Sequence, residues 1–172
     1  MYRTYFDKTP YHLLSFRSNN YFLQGDTLIS NGLDFDTGIT VSNGGLNAPI
    51  GDMIKYLSFL LGNEGNDYPI LTRESLEEML EPQLIIDNQD NLKYYRGLSF
   101  LILENNDLRV IGHTGGQKGF ISFFYIHPES KTGAITVFNT LDISTPGISN
   151  TRKLSEEVRS LFFERLWPLF LE

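Results

Sequence analysis

The sequence predicts an α/β fold of the α+β type, in which a mostly antiparallel sheet is flanked by helices. Apolar residues recur at helical spacing near 49–61 and again over 150–167. Between these segments the hydrophobic period changes to that of strands, at about 95–104, 108–113, 119–127 and 133–139. Short turn-forming runs join the strand segments. They favour antiparallel hairpins, because a parallel crossover needs roughly a dozen residues or more.

Length and composition predict a single globular unit spanning 1–172. With 41% hydrophobic and 13% aromatic residues, the chain can bury a sizeable core. The net charge is −7 and the Lys and Arg residues are scattered, so no cationic stripe faces a run of phosphates and nucleic-acid binding is not expected. The absence of cysteine excludes disulfides and thiolate metal sites but leaves the compartment unassigned.

The first half of the chain divides into an irregular segment, 1–43, and a helical segment, 44–82. The irregular segment is rich in Asn, Asp, Gly and Ser and carries aromatic residues without a clear period. In the helical segment, Gly62 is placed to end the first helix and Thr72 to cap the second. Because Ala48 replaces the usual capping hydroxyl of the first helix, we expect Asn47 to cap it.

The second half is predicted to hold the antiparallel sheet, 94–140, and a C-terminal helix, 150–167. Leu154 and Leu161 lie on the apolar face of this helix, which we expect to pack on the core. The apolar end of the chain is interrupted by Glu164, Arg165 and Pro168. It is also shorter than the roughly 20 residues of a membrane span, so no span is predicted.

Four glycines lie in eight residues of the stretch 112–119, next to predicted strands. Such a density means that the backbone approaches another group closely or adopts conformations that a side chain would forbid. A glycine-rich hairpin turn explains the stretch equally well at this point. A phosphate-binding loop does not, because no Gly-Lys-Ser/Thr follows and the next element is a strand.

The triplet His113-Thr114-Gly115 resembles the Lys/His-Ser/Thr-Gly motif of serine β-lactamases, penicillin-binding proteins and their esterase and D-aminopeptidase relatives. It continues with Gly116 and, three residues later, Gly119 and Phe120, as in many class C-like members. The surrounding order is also similar to that family. Further matching stretches are Gly-Gly-Leu at 44–46, Pro-Ile-Gly-Asp at 49–52 and Tyr-Arg-Gly-Leu-Ser-Phe at 95–100.

The resemblance implies roles for four residues of the stretch. The backbone N–H of Gly116 would be one of two donors to the oxyanion of a tetrahedral intermediate, the other being the N–H of the nucleophilic serine. Thr114 would bind the substrate's carboxylate or carbonyl, and His113 would orient or polarise the catalytic network. Gly115 and Gly116 would let a small-molecule or peptide-like substrate lie along the strand. A structural histidine at a strand end is the competing interpretation of His113. No metal or cofactor is implied.

The sequence lacks the Ser-x-x-Lys motif that carries the nucleophile in this family. No serine has a lysine three residues later, and no convincing Tyr/Ser-x-Asn precedes Gly44. The literal Lys131-Thr132-Gly133 follows Pro128-Glu129, and we interpret it as a hairpin turn. We therefore expect the C-terminal portion of an acyl-transferring serine hydrolase that is inactive alone.

An incomplete portion of this kind would leave a strand edge and apolar surface open. Its expected partners are then a second copy or a missing N-terminal half. The alternative is a non-catalytic binding or interaction module that keeps the fold and has lost the chemistry.

Overall fold

The computed structural model describes residues 1–32, 36–62, 70–89 and 92–171. The chain divides into two compact units, each assembled from several segments. The first comprises Met1–Ile54, Thr114–Ser122 and Thr136–Leu161. The second comprises Lys55–His113, Phe123–Ile135 and Phe162–Glu172.

The strands and helices are numbered separately in chain order. The strands are β1 (Tyr5–Phe6), β2 (Tyr21–Gln24), β3 (Thr27–Ser30), β4 (Leu46–Asn47), β5 (Leu84–Gln89), β6 (Leu92–Arg96), β7 (Leu101–Glu104), β8 (Arg109–Gln117), β9 (Phe120–His127), β10 (Thr132–Phe138) and β11 (Thr140–Asp142). The α-helices are α1 (Val41–Gly44), α2 (Ile50–Leu60), α3 (Arg73–Leu80) and α4 (Asn150–Leu161). Short helical turns lie at Tyr11–Phe16, Gly38–Thr40, Phe162–Leu166 and Trp167–Phe170.

The main sheet has six strands in the order β10-β9-β8-β7-β6-β5. The β5–β6, β6–β7 and β7–β8 pairs are antiparallel, with Leu84 opposite Arg96 and Leu101 opposite Gly112. Sequential neighbours pair because each connection is short, as the sequence predicts. The α+β fold class with a mostly antiparallel sheet and helices is confirmed.

In the first unit, the N-terminal strands form a separate small sheet. β2 and β3 make a hairpin around Gly25, whose φ of +59° suits a tight turn, and β11 joins β2 in parallel. Asp142 is the last residue of β11, and its carboxylate caps the start of α4. The carboxylate accepts the N–H of Asn150 at 3.2 Å and the N–H of Ser144 at 2.9 Å. β11 is thereby fixed to the first turn of the last helix.

In the second unit, four aromatic rings form a chain in the core. Phe123 contacts Phe162, Phe162 contacts Trp167, and Trp167 contacts Tyr125, each edge to face with centroids 6.0 to 6.3 Å apart. Trp167 and Tyr125 are each 1% exposed. Alternate residues of β9 point toward these rings, which explains why a strand of such high aromatic content is stable here.

Several predicted segment boundaries differ from the structure. The segment 1–43, predicted to be irregular, contains the strands β2 and β3. Their residues do not alternate between buried and exposed, so the sequence shows no strand period there. Residues 33–35 lie outside the described part. The segment predicted as one strand at 95–104 is two, β6 and β7, because the chain turns at Gly97 and Ser99. The sheet also begins earlier than 94, with β5. The C-terminal helix is regular only to Leu161, where a wider helical turn begins.

The end of α2 and the start of α3 lie at the capping residues that the sequence predicts. α2 ends at Leu60, and Gly62 follows with a φ of +71° and an N–H that donates to the Phe59 carbonyl. Thr72 caps α3, its hydroxyl accepting the N–H of Ser75 at 3.1 Å. The prediction that Asn47 caps α2 is wrong. Its side chain donates to the Gly45 carbonyl instead.

Among the described helices, none combines the length and apolar character that crossing a bilayer requires.

Candidate functional site

The candidate site lies at the C-terminal end of strand β8. The ladder between β7 and β8 ends with Leu101 opposite Gly112, whereas β8 itself continues to Gln117. Before Leu101 the chain turns, with the N–H of Gly97 donating to the Phe100 carbonyl at 2.9 Å. Within the described ladders, β8 residues 113–117 therefore have no β7 residue opposite them. We call this side of β8, at residues 113–117, the free edge, since no strand among the described residues pairs with it.

The turn after β8 determines which backbone groups point toward that edge. Lys118 and Gly119 form a two-residue turn, with φ of +45° and +91°, between β8 and β9. The residues flanking such a turn exchange hydrogen bonds, and along a strand consecutive residues then direct their N–H and C=O groups to opposite sides. In this pattern, the N–H and C=O groups of Gln117 and Gly115 point toward β9. The N–H groups of Thr114 and Gly116 point to the free edge.

The turn itself is held by the N-terminal strands of the first unit. A Cβ on Gly119 would lie 2.5 Å from the Tyr21 carbonyl oxygen, so the two backbones are in close contact. The side chain of Asn31 donates to the Lys118 carbonyl at 3.1 Å, and the N–H of Tyr21 donates to the Asn139 carbonyl at 2.9 Å. These contacts fix the end of β8 from outside the main sheet.

The four glycines of the stretch have different structural reasons. A Cβ on Gly112 would fall 1.9 Å from the Phe124 carbonyl oxygen, and Gly119 has both a positive φ and the Tyr21 contact. At Gly116 the nearest atom to a Cβ would be 3.9 Å away. At Gly115 a Cβ would meet the hydroxyl of Ser122 at 3.2 Å, and no other atom of the described residues beyond its two chain neighbours. Neither packing nor backbone conformation demands glycine at 115 and 116, and both residues are exposed.

The predicted site residues are placed consecutively on this strand. His113, Gly115 and Gly116 are exposed and Thr114 is half-buried, so all four are accessible along one stretch of β8. Side chains alternate between the two faces, which puts Thr114 on the opposite face from His113. The roles given to these residues stay predictions.

The run Lys131-Thr132-Gly133 has a structural explanation, as its interpretation as a hairpin turn implies. Lys131, with a φ of +56°, lies in the turn between β9 and β10, and its ammonium donates to the Leu61 carbonyl at 2.7 Å. A Cβ on Gly133 would meet Leu57 at 3.1 Å. The lysine is thus directed to the residue that follows helix α2.

The structure also holds a buried histidine for which the sequence pattern gives no signal. His127, at the end of β9, is 1% exposed, and its Nδ1 lies 2.7 Å from the Ser130 hydroxyl and accepts the Ser130 N–H at 3.3 Å. Burial lowers the pKa of His127, and the nearby Glu129 carboxylate raises it in part. Its Nε2 has no hydrogen-bond partner among the described residues. The contacts of Nδ1 make His127 a cap of the β9–β10 turn.

Another buried acid lies in the stretch that resembles the family's helix start. Asp52 is 6% exposed and accepts the N–H of Arg3 and the hydroxyl of Thr4, each at 2.9 Å. These hydrogen bonds, led by that from Arg3, lower the pKa of Asp52 against the opposing effect of burial. Its role in the structure is to tie the first residues to α2. In the described part of the chain, no three His, Asp or Glu side chains are grouped as metal ligands would be.

Comparisons with known proteins identify the fold. No protein-family model matches the sequence, and no curated protein matches it. An octameric penicillin-binding protein homologue from Pyrococcus abyssi is similar in structure, with a TM-score of 0.67 and 21% identity over 94% of this chain. A D-stereospecific amidohydrolase from Streptomyces sp. is similar with a TM-score of 0.58 and 18% identity over 88% of this chain.

The matched region is part of a larger fold in both neighbours. This chain covers 34% of the first neighbour's length and 40% of the second's. Both proteins have the β-lactamase/transpeptidase fold, and the chain described here has the architecture of a portion of it. The resemblance read from His113-Thr114-Gly115 is confirmed at the level of the fold.

Proposed function

We propose that this chain is the C-terminal portion of a serine hydrolase that transfers the acyl group of an amide, ester or β-lactam. In this proposal the N–H of Gly116 is one oxyanion donor, and Thr114 binds the substrate's carboxylate or carbonyl. His113 orients the catalytic network, and Gly115 leaves room for the substrate. The whole stretch 1–172 contributes one wall of the active site.

The observation that carries the proposal is the free edge of β8 at residues 113–117. Two exposed glycines with no packing reason lie there. The alternation of N–H directions along a strand points those of Thr114 and Gly116 away from β9. A strand edge with small residues accepts an extended substrate as an added strand, because main-chain groups pair and no side chain obstructs the approach. The fold shared with a penicillin-binding protein homologue and a D-stereospecific amidohydrolase adds independent support.

The chemistry requires a donor that is already in position when the oxyanion forms. One such donor lowers the barrier by roughly 2.7 to 4 kcal/mol in acyl transfer. Gly116 can supply it because its strand is fixed by the turn contacts at Tyr21 and Asn31. The second donor would be the N–H of the nucleophilic serine.

This sequence contains no Ser-x-x-Lys, so the proposed chain has a donor and a binding edge without a nucleophile. We expect no covalent labelling when it is incubated with a fluorescent penicillin or a fluorophosphonate. Stoichiometric labelling would show that a nucleophile is present and would contradict this part of the proposal.

Binding at the edge can be tested on the chain as it is. Titration with N-acetyl-D-alanyl-D-alanine, followed by ¹⁵N NMR, is expected to shift the amide signals of Thr114 and Gly116 first. Gly116→Pro removes the N–H donor, whereas Gly116→Ala keeps it, so proline should weaken binding more than alanine. A peptide that leaves both amide signals unmoved, or a proline variant that binds as well as the alanine variant, would contradict the proposed site.

An in-frame Ser-x-x-Lys encoded before Met1 would supply the serine, whereas its absence would favour the non-catalytic binding module.

β10 is an outer strand of the sheet, so we propose that a second copy or a further segment of the hydrolase pairs there. Light scattering over a range of concentrations tests self-association, and a monomer throughout would contradict pairing with a second copy.

A further inference from the structure

Ser122 is a polar residue in an otherwise apolar stretch of β9. Its neighbours Ile121 and Phe123 are buried, whereas Ser122 is half-buried. No hydrogen bond joins its hydroxyl to any residue in the described part of the chain, so the hydroxyl is available to another molecule. Packing of the strand does not require a serine there.

The hydroxyl of Ser122 lies beside Gly115. Apart from the two residues next to Gly115 in the chain, no other atom of the described residues is within 4 Å of the place where a Gly115 Cβ would be, and the Ser122 hydroxyl oxygen is 3.2 Å from it. Gln117 lies on the same face of β8 as Gly115, because side chains two residues apart share a face. Gly115 is therefore an open surface bordered by two neutral hydrogen-bonding side chains, Ser122 and Gln117.

A substrate strand on the free edge would place one side chain over this surface. Neighbouring strands lie about 4.8 Å apart, and in an antiparallel pair directly opposite residues direct their side chains to the same face. With the substrate carbonyl held at Gly116, the residue after that carbonyl lies opposite Gly115. Its side chain can cross Gly115, which has no Cβ, and extend toward Ser122.

We propose that Ser122, with Gln117, determines specificity for that substrate residue by hydrogen-bonding the polar end of its side chain. This inference rests on the proposed function. The favoured side chain is long and ends in a neutral hydrogen-bonding group, of which the carboxamide of glutamine is the model. A methionine side chain has similar length and leaves the Ser122 hydroxyl without a partner.

The experiment compares two peptides, N-acetyl-D-alanyl-L-glutamine and N-acetyl-D-alanyl-L-methionine, by ¹⁵N NMR titration of the Thr114 and Gly116 amides. The second residue is an L residue because its side chain then shares the face of Gly115 and Ser122. The unmodified chain should bind the glutamine peptide about 3- to 10-fold more tightly, the range expected for one neutral hydrogen bond. Ser122→Ala should reduce this preference to below about 2-fold and leave the methionine peptide unaffected. Ser160→Ala, on the exposed side of α4, is the matched control and should keep the preference.

A second pair of variants guards against a folding defect in Ser122→Ala. Ser122→Thr keeps the hydroxyl and Ser122→Val removes it at nearly the same shape, so only the threonine variant should retain the preference. A preference that survives in the alanine and valine variants, or is absent from the unmodified chain, overturns the role of Ser122 while the proposed function stands. If neither peptide moves the Gly116 amide, the proposed function fails and this inference fails with it.

Discussion

Gly119 lies against the backbone of Tyr21, so close that a Cβ on the glycine would be 2.5 Å from the Tyr21 carbonyl oxygen and 3.1 Å from its nitrogen. Tyr21 is the first residue of β2, which lies in the segment that the sequence predicts to be irregular. The contact therefore joins the N-terminal strands to the turn that ends the candidate binding strand. It makes the position of Gly116 dependent on residues almost a hundred positions earlier in the chain.

Gly119→Ala is expected to destabilise the protein by roughly 2 to 4 kcal/mol, because the new methyl group meets backbone and the φ of +91° strains any side chain. Gly147→Ala is the matched control, since Gly147 has a φ of +76° but nothing within 4 Å of its Cβ position. It should cost about 1 kcal/mol from the backbone alone. Urea unfolding measures both. Equal losses would show that the Tyr21 contact is not tight.

Trp167→Ala is expected to cost about 3 to 5 kcal/mol of unfolding free energy. The ring is 1% exposed and meets Tyr125 and Phe162 edge to face, so its removal leaves a cavity among aromatic neighbours. Leu169→Ala, two residues later and 72% exposed, should change the free energy by less than about 0.5 kcal/mol. Thermal unfolding followed by circular dichroism separates the two. A small loss for Trp167→Ala would place the C-terminal turns outside the folded core.

Local chemistry explains which helix boundaries could be predicted from the sequence. Thr72 and Gly62 act through hydrogen bonds and backbone conformations within a few residues, so the residue type is sufficient evidence. The face of α4 was harder. Leu154 and Leu161 are each 48% exposed, and the helix buries Ser155 instead. An apolar stripe indicates a preferred face, but the contacts of the whole chain decide which face is covered.

The strands show the same division between local and distant causes. β5 went unpredicted because Asp87 and Asn88 are poor strand formers, and its pairing with β6 is a tertiary contact. The hairpin between β6 and β7 had a local signal in Gly97. For the site, the sequence placed His113 to Gly116 together, but their open edge depends on where β7 stops pairing. No local pattern predicts that.

The cap of α3 gives a small and well-defined prediction. Thr72→Ala removes the hydroxyl that accepts the Ser75 N–H and should cost about 1 kcal/mol, whereas Thr72→Ser keeps the acceptor and should cost little. Chemical denaturation of the two variants checks this. If serine and alanine destabilise equally, the effect of position 72 does not come from capping.

The turn at His127 should respond to pH. Burial lowers the folded-state pKa of His127 below that of the unfolded chain, about 6.5, so the folded state prefers the neutral ring. Its contribution to stability is therefore complete above about pH 6.5 and is lost as the pH falls toward the lower folded-state pKa. Protonation of Nδ1 would also remove the acceptor for the Ser130 N–H.

His127→Gln carries an acceptor that does not titrate, so its unfolding free energy should fall less than that of the unmodified chain between pH 8 and pH 5. Glu129→Gln removes the charge that raises the pKa of His127 and should enlarge the loss in acid. Urea unfolding at several pH values measures all three chains. Parallel pH profiles for the unmodified chain and His127→Gln would exclude His127 as the titrating group.

Asp142 should give a pH dependence in a more acidic range. Hydrogen bonds from Ser144 first, and from Asn150 as well, lower the pKa of this 4% exposed carboxyl in the folded state. The unfolded carboxyl titrates near pH 3.9, so the stabilisation is present above that value and disappears as the pH falls through the lower folded-state pKa.

Asp142→Asn should therefore lower the thermal midpoint at pH 7, because one amide cannot accept all the N–H groups that the carboxylate accepts, and α4 loses its anionic cap. The difference from the unmodified chain should shrink as the pH falls below about 3.9 and through the lower folded-state pKa of Asp142, because the protonated carboxyl is then neutral, as the amide is. Asp107→Asn, in an exposed loop, is the matched control and should show no such difference at pH 7. A difference for Asp142→Asn that persists unchanged in acid would mean that shape, rather than charge, holds the start of α4.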